Sequence, residues 1–105
     1  QYIGTKQLKN VFCTVDYNKS QRCGNLLIGI EPIINLCKDY NWDVYRCNGH
    51  NNGEIDKILN NLKFKKPTII FFDTIKGNGV DFMQNNIKEW HYKKIDEKHY
   101  RQIFR

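Results

Sequence analysis

No Cys-x-x-Cys pair occurs in this sequence, although it carries four cysteines, Cys13, Cys23, Cys37 and Cys47. They stand ten or more residues apart, so the tight ligand loops of a structural zinc site are missing. Buried free thiols are the expected state, in keeping with a reducing compartment. No apolar run approaches the ~18 residues that span a bilayer, and no signal-peptide pattern opens the chain. That excludes a helical membrane span and makes the cytoplasm the expected location. Blocks of like charge are also lacking. The formal charge is +6, yet the only adjacent lysines are Lys65-Lys66 and Lys93-Lys94. Without a clustered basic face, nucleic acid is not an expected partner. Lys, Asn and Ile each occur 13 times, a bias that reflects AT-rich coding rather than a binding surface. Repeats and linkers are absent too, and 105 residues are enough for one domain, residues 1–105.

What is present alternates. Asn10 to Val15 is a short β-favouring run that gives way to Asp16-Tyr17-Asn18, residue types typical of a strand end. Polar residues Lys19 to Gly24 read as a loop, with Gly24 as a turn residue. Ile30, Ile33, Ile34 and Cys37 follow the i, i+3, i+4, i+7 spacing of an amphipathic helix. Pro32 fits its first turn and Asn41 its end. Trp42 to Cys47 is a second strand, less apolar and so nearer an edge. Asn51 or Asn52 then caps a second helix marked by Ile55, Ile58, Leu59 and Leu62. The third strand, Thr68 to Phe72, is unbroken in its apolar character and predicts burial on both faces. Strand, helix, strand, helix, strand implies a parallel sheet with right-handed crossovers, the α/β/α three-layer class. A short helix is expected from Glu97 to Phe104.

The third strand runs directly into Lys76-Gly77-Asn78-Gly79. A buried strand that delivers a basic, glycine-rich loop is a common phosphate-binding device, because ligands of parallel sheets sit outside the carboxyl ends of the strands. By itself the loop would also suit a small basic module for a nucleotide or nucleic acid, whose binding would weaken with salt and need no Mg²⁺.

Three motifs stand in order: Val15-Asp16-Tyr17-Asn18-x-x-Gln21-x-x-Gly24, then Asn48-Gly49-His50, then Thr74-Ile75-Lys76-Gly77-x-Gly79-Val80 with Phe82-Met83 and Trp90-His91. Together they resemble the thiamine-diphosphate-binding domain of transketolase, over about residues 10–93. Each motif alone is weak; their joint order and spacing carry the resemblance. Phe82-Met83 followed by Trp90-His91 favours transketolase over the related synthases and dehydrogenase subunits that use the same cofactor.

The resemblance implies roles. Asn18 matches the asparagine whose side-chain oxygen coordinates the divalent cation on the diphosphate, and Ser20 the position offering its backbone carbonyl. Such oxygen donors suit Mg²⁺ or Ca²⁺. Taken alone, Asn18 would read as a turn residue. Lys76 matches a lysine beside the diphosphate, although a solvated loop lysine fits equally well. Gly77 and Gly79 would let the backbone approach the ligand. His91 matches a histidine between diphosphate and substrate, able to bind a sugar hydroxyl or move a proton. His50 would be structural, and His99 matches nothing.

Departures accompany the match. Asn48 replaces an aspartate before Gly49-His50, and Tyr92 a glycine after Trp90-His91. The Gly-Asp-Gly motif, source of another metal ligand, is not found before Asn18, nor is the pyrimidine-binding domain. The resemblance therefore implies the C-terminal half of one cofactor-binding domain. A second polypeptide or subunit would supply the rest, the alternative being a non-catalytic remnant. The implied activity is transfer of a two-carbon ketol unit between sugar phosphates, with the isolated chain inactive.

Overall fold

The computed structural model describes residues 1–21 and 24–104; the expectation for Cys23 lies outside them. In chain order the elements are α1 (Tyr2–Thr5), β1 (Phe12–Tyr17), β2 (Ser20–Gln21), β3 (Gly24–Asn25), α2 (Glu31–Asp39), β4 (Asp43–Asn48), α3 (Asn52–Asn60), β5 (Thr68–Asp73), α4 (Asp81–Gln84), a 3₁₀ turn (Glu89–His91) and α5 (Glu97–Ile103). None of these helices is long and apolar enough to cross a membrane. Two compact units emerge, residues 1–18 with 27–74, and residues 19–26 with 75–105.

The first unit is a small α/β structure: a three-stranded parallel sheet, ordered β1-β5-β4 and flanked by helices. The most apolar strand takes the centre, where both of its edges are paired. Phe71 is 0% and Ile70 1% exposed. Successive strand residues face opposite ways, so both faces of the sheet are covered. Each such side chain contributes roughly 1.5–3 kcal/mol by leaving water. The less apolar β4 lies at an edge. β1 runs on through Asp16 and Tyr17, which pair with Phe72 and Asp73; the ladder overrides their turn-forming tendency.

On one face Ile30 and Ile34 of the α2 segment join Ile69 and Phe71, with Cys13, Val15, Tyr17, Cys37, Trp42 and Val44 packed around them. Ile70 is not in that cluster and is covered from the other side. The β1–α2–β4 connection passes β5, and β4–α3–β5 returns to it, so right-handed crossovers put α2 and α3 on opposite faces. Pro32 sits in the first turn of α2. The helix ends in a Schellman arrangement: Asn41 takes a left-handed φ of 62°, its N–H bonds Lys38 O at 2.8 Å, and Trp42 N–H bonds Cys37 O at 3.1 Å. Asn51 caps α3, its side chain accepting from Glu54 N–H at 3.2 Å.

The second unit holds an antiparallel ribbon, β2 with β3, where only a loop was expected. It also holds α4, the 3₁₀ turn and α5, whose N-cap Asp96 accepts from His99 N–H at 2.9 Å. The rings of Phe82, Trp90 and His99 form a cluster with centroids 4.7–5.1 Å apart. His99, which matched no motif, is thus a packing residue of this unit.

Candidate functional site

Three parallel strands bring three carboxyl ends to one end of the sheet, and each is followed by one of the sequence motifs. Asn18 follows β1, Gly49-His50 follows β4, and Thr74 follows β5. The ladder continues past the strands: Thr74 N–H bonds Tyr17 O at 3.2 Å and Gly49 N–H bonds Asp73 O at 2.8 Å. Side-chain bonds cross-link the same end. Asp16 accepts from the Thr74 hydroxyl and from Asn18 Nδ2, the latter at 3.3 Å. Alternation along β1 explains the second bond, since residues i and i+2 share a side of a strand.

Gly49 makes this closeness possible. A Cβ there would lie 2.6 Å from Thr74 Cγ2 and 3.0 Å from Phe72 Cβ. Asn48, the departure from the family's aspartate, keeps the turn's chemistry: its Oδ1 accepts from His50 N–H at 2.9 Å. Its own N–H donates to Glu54 Oε2 at 2.9 Å, tying the turn to α3.

Behind this end lies an ionic cluster that the sequence reading missed. Arg46 donates to both oxygens of Asp73, at 2.6 and 2.8 Å, and to Glu31 Oε1 at 2.9 Å. Its guanidinium stands 5.6 Å from the centre of the Tyr17 ring. The Asp73 bonds, then the Glu31 bond, hold the guanidinium's proton more tightly still. The Arg46 hydrogen bond in turn leads the effects that keep the Glu31 carboxyl below its ordinary range. With two carboxylates engaged, Arg46 belongs to the scaffold: it links the start of α2 to β4 and β5. Alternation along β4 was the available signal, but its partners are 15 and 27 residues away.

The second unit carries Ser20, Lys76, Gly77, Gly79 and His91. Ser20 lies in β2, paired with Asn25. Gly77 and Gly79 have φ of 76° and 87°, values that side chains rarely adopt. Lys76 Nζ is 2.5 Å from His91 Nδ1. An ammonium only donates, so Nδ1 is the acceptor and the neutral ring keeps its proton on Nε2. Tyr92, where the family has glycine, sets its ring edge-on to His91 with centroids 4.4 Å apart. A cleft of about 310 Å³ opens beside Gly79, lined also by Phe82 and Ile103.

Among the described residues no three His, Cys, Asp or Glu side chains gather into a metal cluster. Cys13, Cys37 and Cys47 are free thiols. Burial pushes the Cys37 and Cys47 thiols above their usual value, the reverse of what a nucleophilic cysteine needs.

The fold and its loop-bearing strand ends define an α/β class that binds ligands at the carboxyl edge of a parallel sheet. No protein-family model matches the chain. It is similar to the 6-deoxy-6-sulfo-D-fructose transketolase subunit SqwG of a Clostridium species, 29% identical over 100 residues, covering 91% of this chain and 36% of the relative. It is also similar to a subunit of the apulose-4-phosphate transketolase of Phocaeicola vulgatus, 28% identical over 90 residues, covering 82% of this chain and 32% of the relative. The chain spans about a third of the length of the curated relatives it matches. Both relatives are transketolase subunits, and the similarity supports a transketolase-family relationship at that coarse level.

Proposed function

We propose that this chain is part of a transketolase-type enzyme that moves a two-carbon ketol unit between sugar phosphates, and that its share is to anchor a metal–diphosphate group. The cofactor would be thiamine diphosphate with Mg²⁺ or Ca²⁺; when bound, its cationic thiazolium ring would supply a nucleophilic carbon and the electron sink for C–C cleavage. One observation carries the reading. Asn18 and Thr74 leave neighbouring parallel strands at the same end of the sheet, where ligands of such folds sit.

Asn18 offers its carboxamide oxygen and Ser20 its backbone carbonyl to the cation. Lys76 contributes an ammonium that balances diphosphate charge. Gly77 and Gly79 present backbone rather than side chain to the ligand. His91, its Nδ1 engaged by Lys76, has an Nε2–H to donate to a sugar hydroxyl. The remaining metal ligand, in a Gly-Asp-Gly motif, and the pyrimidine-binding domain would come from polypeptide outside these 105 residues, whether of the same protein or of a partner subunit. Both relatives are named as subunits.

Calorimetric titration of thiamine diphosphate with Mg²⁺ tests this, using the chain alone and mixed with a companion polypeptide bearing those missing parts. Strong, Mg²⁺-dependent heat is expected only from the mixture. Tight binding by the chain alone would show that the second polypeptide is unnecessary. Mg²⁺-independent binding that weakens steeply with salt would replace the reading with that of a simple basic phosphate loop.

A further inference from the structure

We infer that Thr74 and Asp16 act as a positioning pair for Asn18, fixing which end of its carboxamide is presented to a cation. The inference rests on the reading of Asn18 as a metal ligand. A carboxamide has a donor end and an acceptor end of nearly the same shape. A hard cation takes only the oxygen, so the wrong flip would present an NH₂ group and repel the ion. Local shape does not choose between the flips; a neighbour with one kind of hydrogen-bonding atom does.

Asp16 is that neighbour. Its carboxylate has only acceptors, one oxygen facing the Thr74 hydroxyl and the other facing Asn18 Nδ2 at 3.3 Å. Reversing the carboxamide would set oxygen against oxygen. The Asn18 nitrogen is therefore held toward Asp16, and Oδ1 is directed away from it. Thr74 is oriented in turn. Gly49 approaches its γ-methyl so closely that a Cβ at position 49 would come within 2.6 Å of it. With the methyl placed there, the hydroxyl turns to Asp16. A chain of contacts, Gly49 to Thr74 to Asp16 to Asn18, thus crosses all three strand ends. Groups behind a metal ligand that orient it typically change metal affinity 10- to 100-fold when removed.

The test uses the ¹⁵N-labelled chain with Thr74→Val, Thr74→Ser and Asp16→Asn variants. The Asn18 side-chain amide resonances are read first without metal, then, with the companion polypeptide added, during titration with Mn²⁺ and thiamine diphosphate, where paramagnetic broadening reports even weak binding. Thr74→Val and Asp16→Asn are expected to move the Asn18 amide signals to those of a freely rotating carboxamide. They should raise the Mn²⁺ concentration for half-broadening about 10- to 100-fold. Thr74→Ser keeps the hydroxyl and should behave as wild type, which separates positioning from general damage to the fold. Unchanged Asn18 amide signals in Thr74→Val and Asp16→Asn would overturn the inference. Absence of broadening at Asn18 in the wild-type mixture would reject its ligand role, while the metal-free signals would still decide the positioning.

Discussion

Replacing Gly49 with alanine puts a methyl carbon where the strand ends leave no room. The new Cβ would lie 2.6 Å from Thr74 Cγ2 and 3.0 Å from Phe72 Cβ, against the ~3.5–4.0 Å at which carbons normally touch. Two responses are open. If the β4 turn moves outward, the Gly49 N–H bond to Asp73 O lengthens from 2.8 Å and packing is disturbed, a change that typically costs about 1–3 kcal/mol. If Thr74 rotates instead, its hydroxyl leaves Asp16, and a hydrogen bond to a charged group contributes about 1.5–3 kcal/mol before exposure to water reduces it. Either route predicts a loss of roughly 1–3 kcal/mol, with a fall in midpoint of ~4–8 °C per kcal/mol for a unit this small. Urea and thermal unfolding followed by circular dichroism would measure it. Gly53→Ala is the control: inside α3 its Cβ would meet only Asn51 Oδ1, at 3.3 Å, and alanine gains up to ~1 kcal/mol of helix propensity. Equal stabilities for Gly49→Ala and wild type would refute the steric reasoning.

Three further outcomes follow from the same geometry. The Glu31 carboxyl is depressed, chiefly by its bond from Arg46. Its contribution is therefore complete above the ordinary carboxylate value of 4.5 and is lost as pH falls through the lower folded value. The stability gap between wild type and Arg46→Met should accordingly shrink on acidification, as read from urea midpoints across the acid range. Arg46→Lys keeps the charge but not the fork that spans both Asp73 oxygens, so it should recover only part of the gap. Cys37 and Cys47, whose thiols burial pushes up, should resist iodoacetamide at mildly alkaline pH until urea unfolds the chain, as followed by mass spectrometry.

Much of the first unit is legible in the sequence because its signals are local. The apolar run from Thr68 to Phe72 announces the central strand, and the mixed character of Trp42 to Cys47 its edge neighbour. Asn41 ends α2 and Asn51 caps α3 through their own backbone and side-chain chemistry. What escaped reading depends on register. Nothing local tells that Arg46 meets Asp73 and Glu31, or that Thr74 reaches Asp16 across 58 residues. Those contacts exist only once β1, β5 and β4 are paired in register. The second unit was harder still. Its apolar residues Phe82, Met83, Ile87 and Trp90 stand among asparagines and charged residues, so α4 and the 3₁₀ turn passed for polar loop. Of the candidate site, the motifs single out Asn18, Lys76 and His91, whereas the bonds these residues make required coordinates.

In the proposed function, Asn18 holds a cation for a diphosphate group. Calorimetry of thiamine diphosphate and Mg²⁺ against the assembled enzyme, with wild-type chain and with Asn18→Ala, tests it most directly. The expected result is Mg²⁺-dependent binding that Asn18→Ala weakens greatly while unfolding midpoints stay close to wild type. Equal cofactor affinity in the two proteins would contradict it.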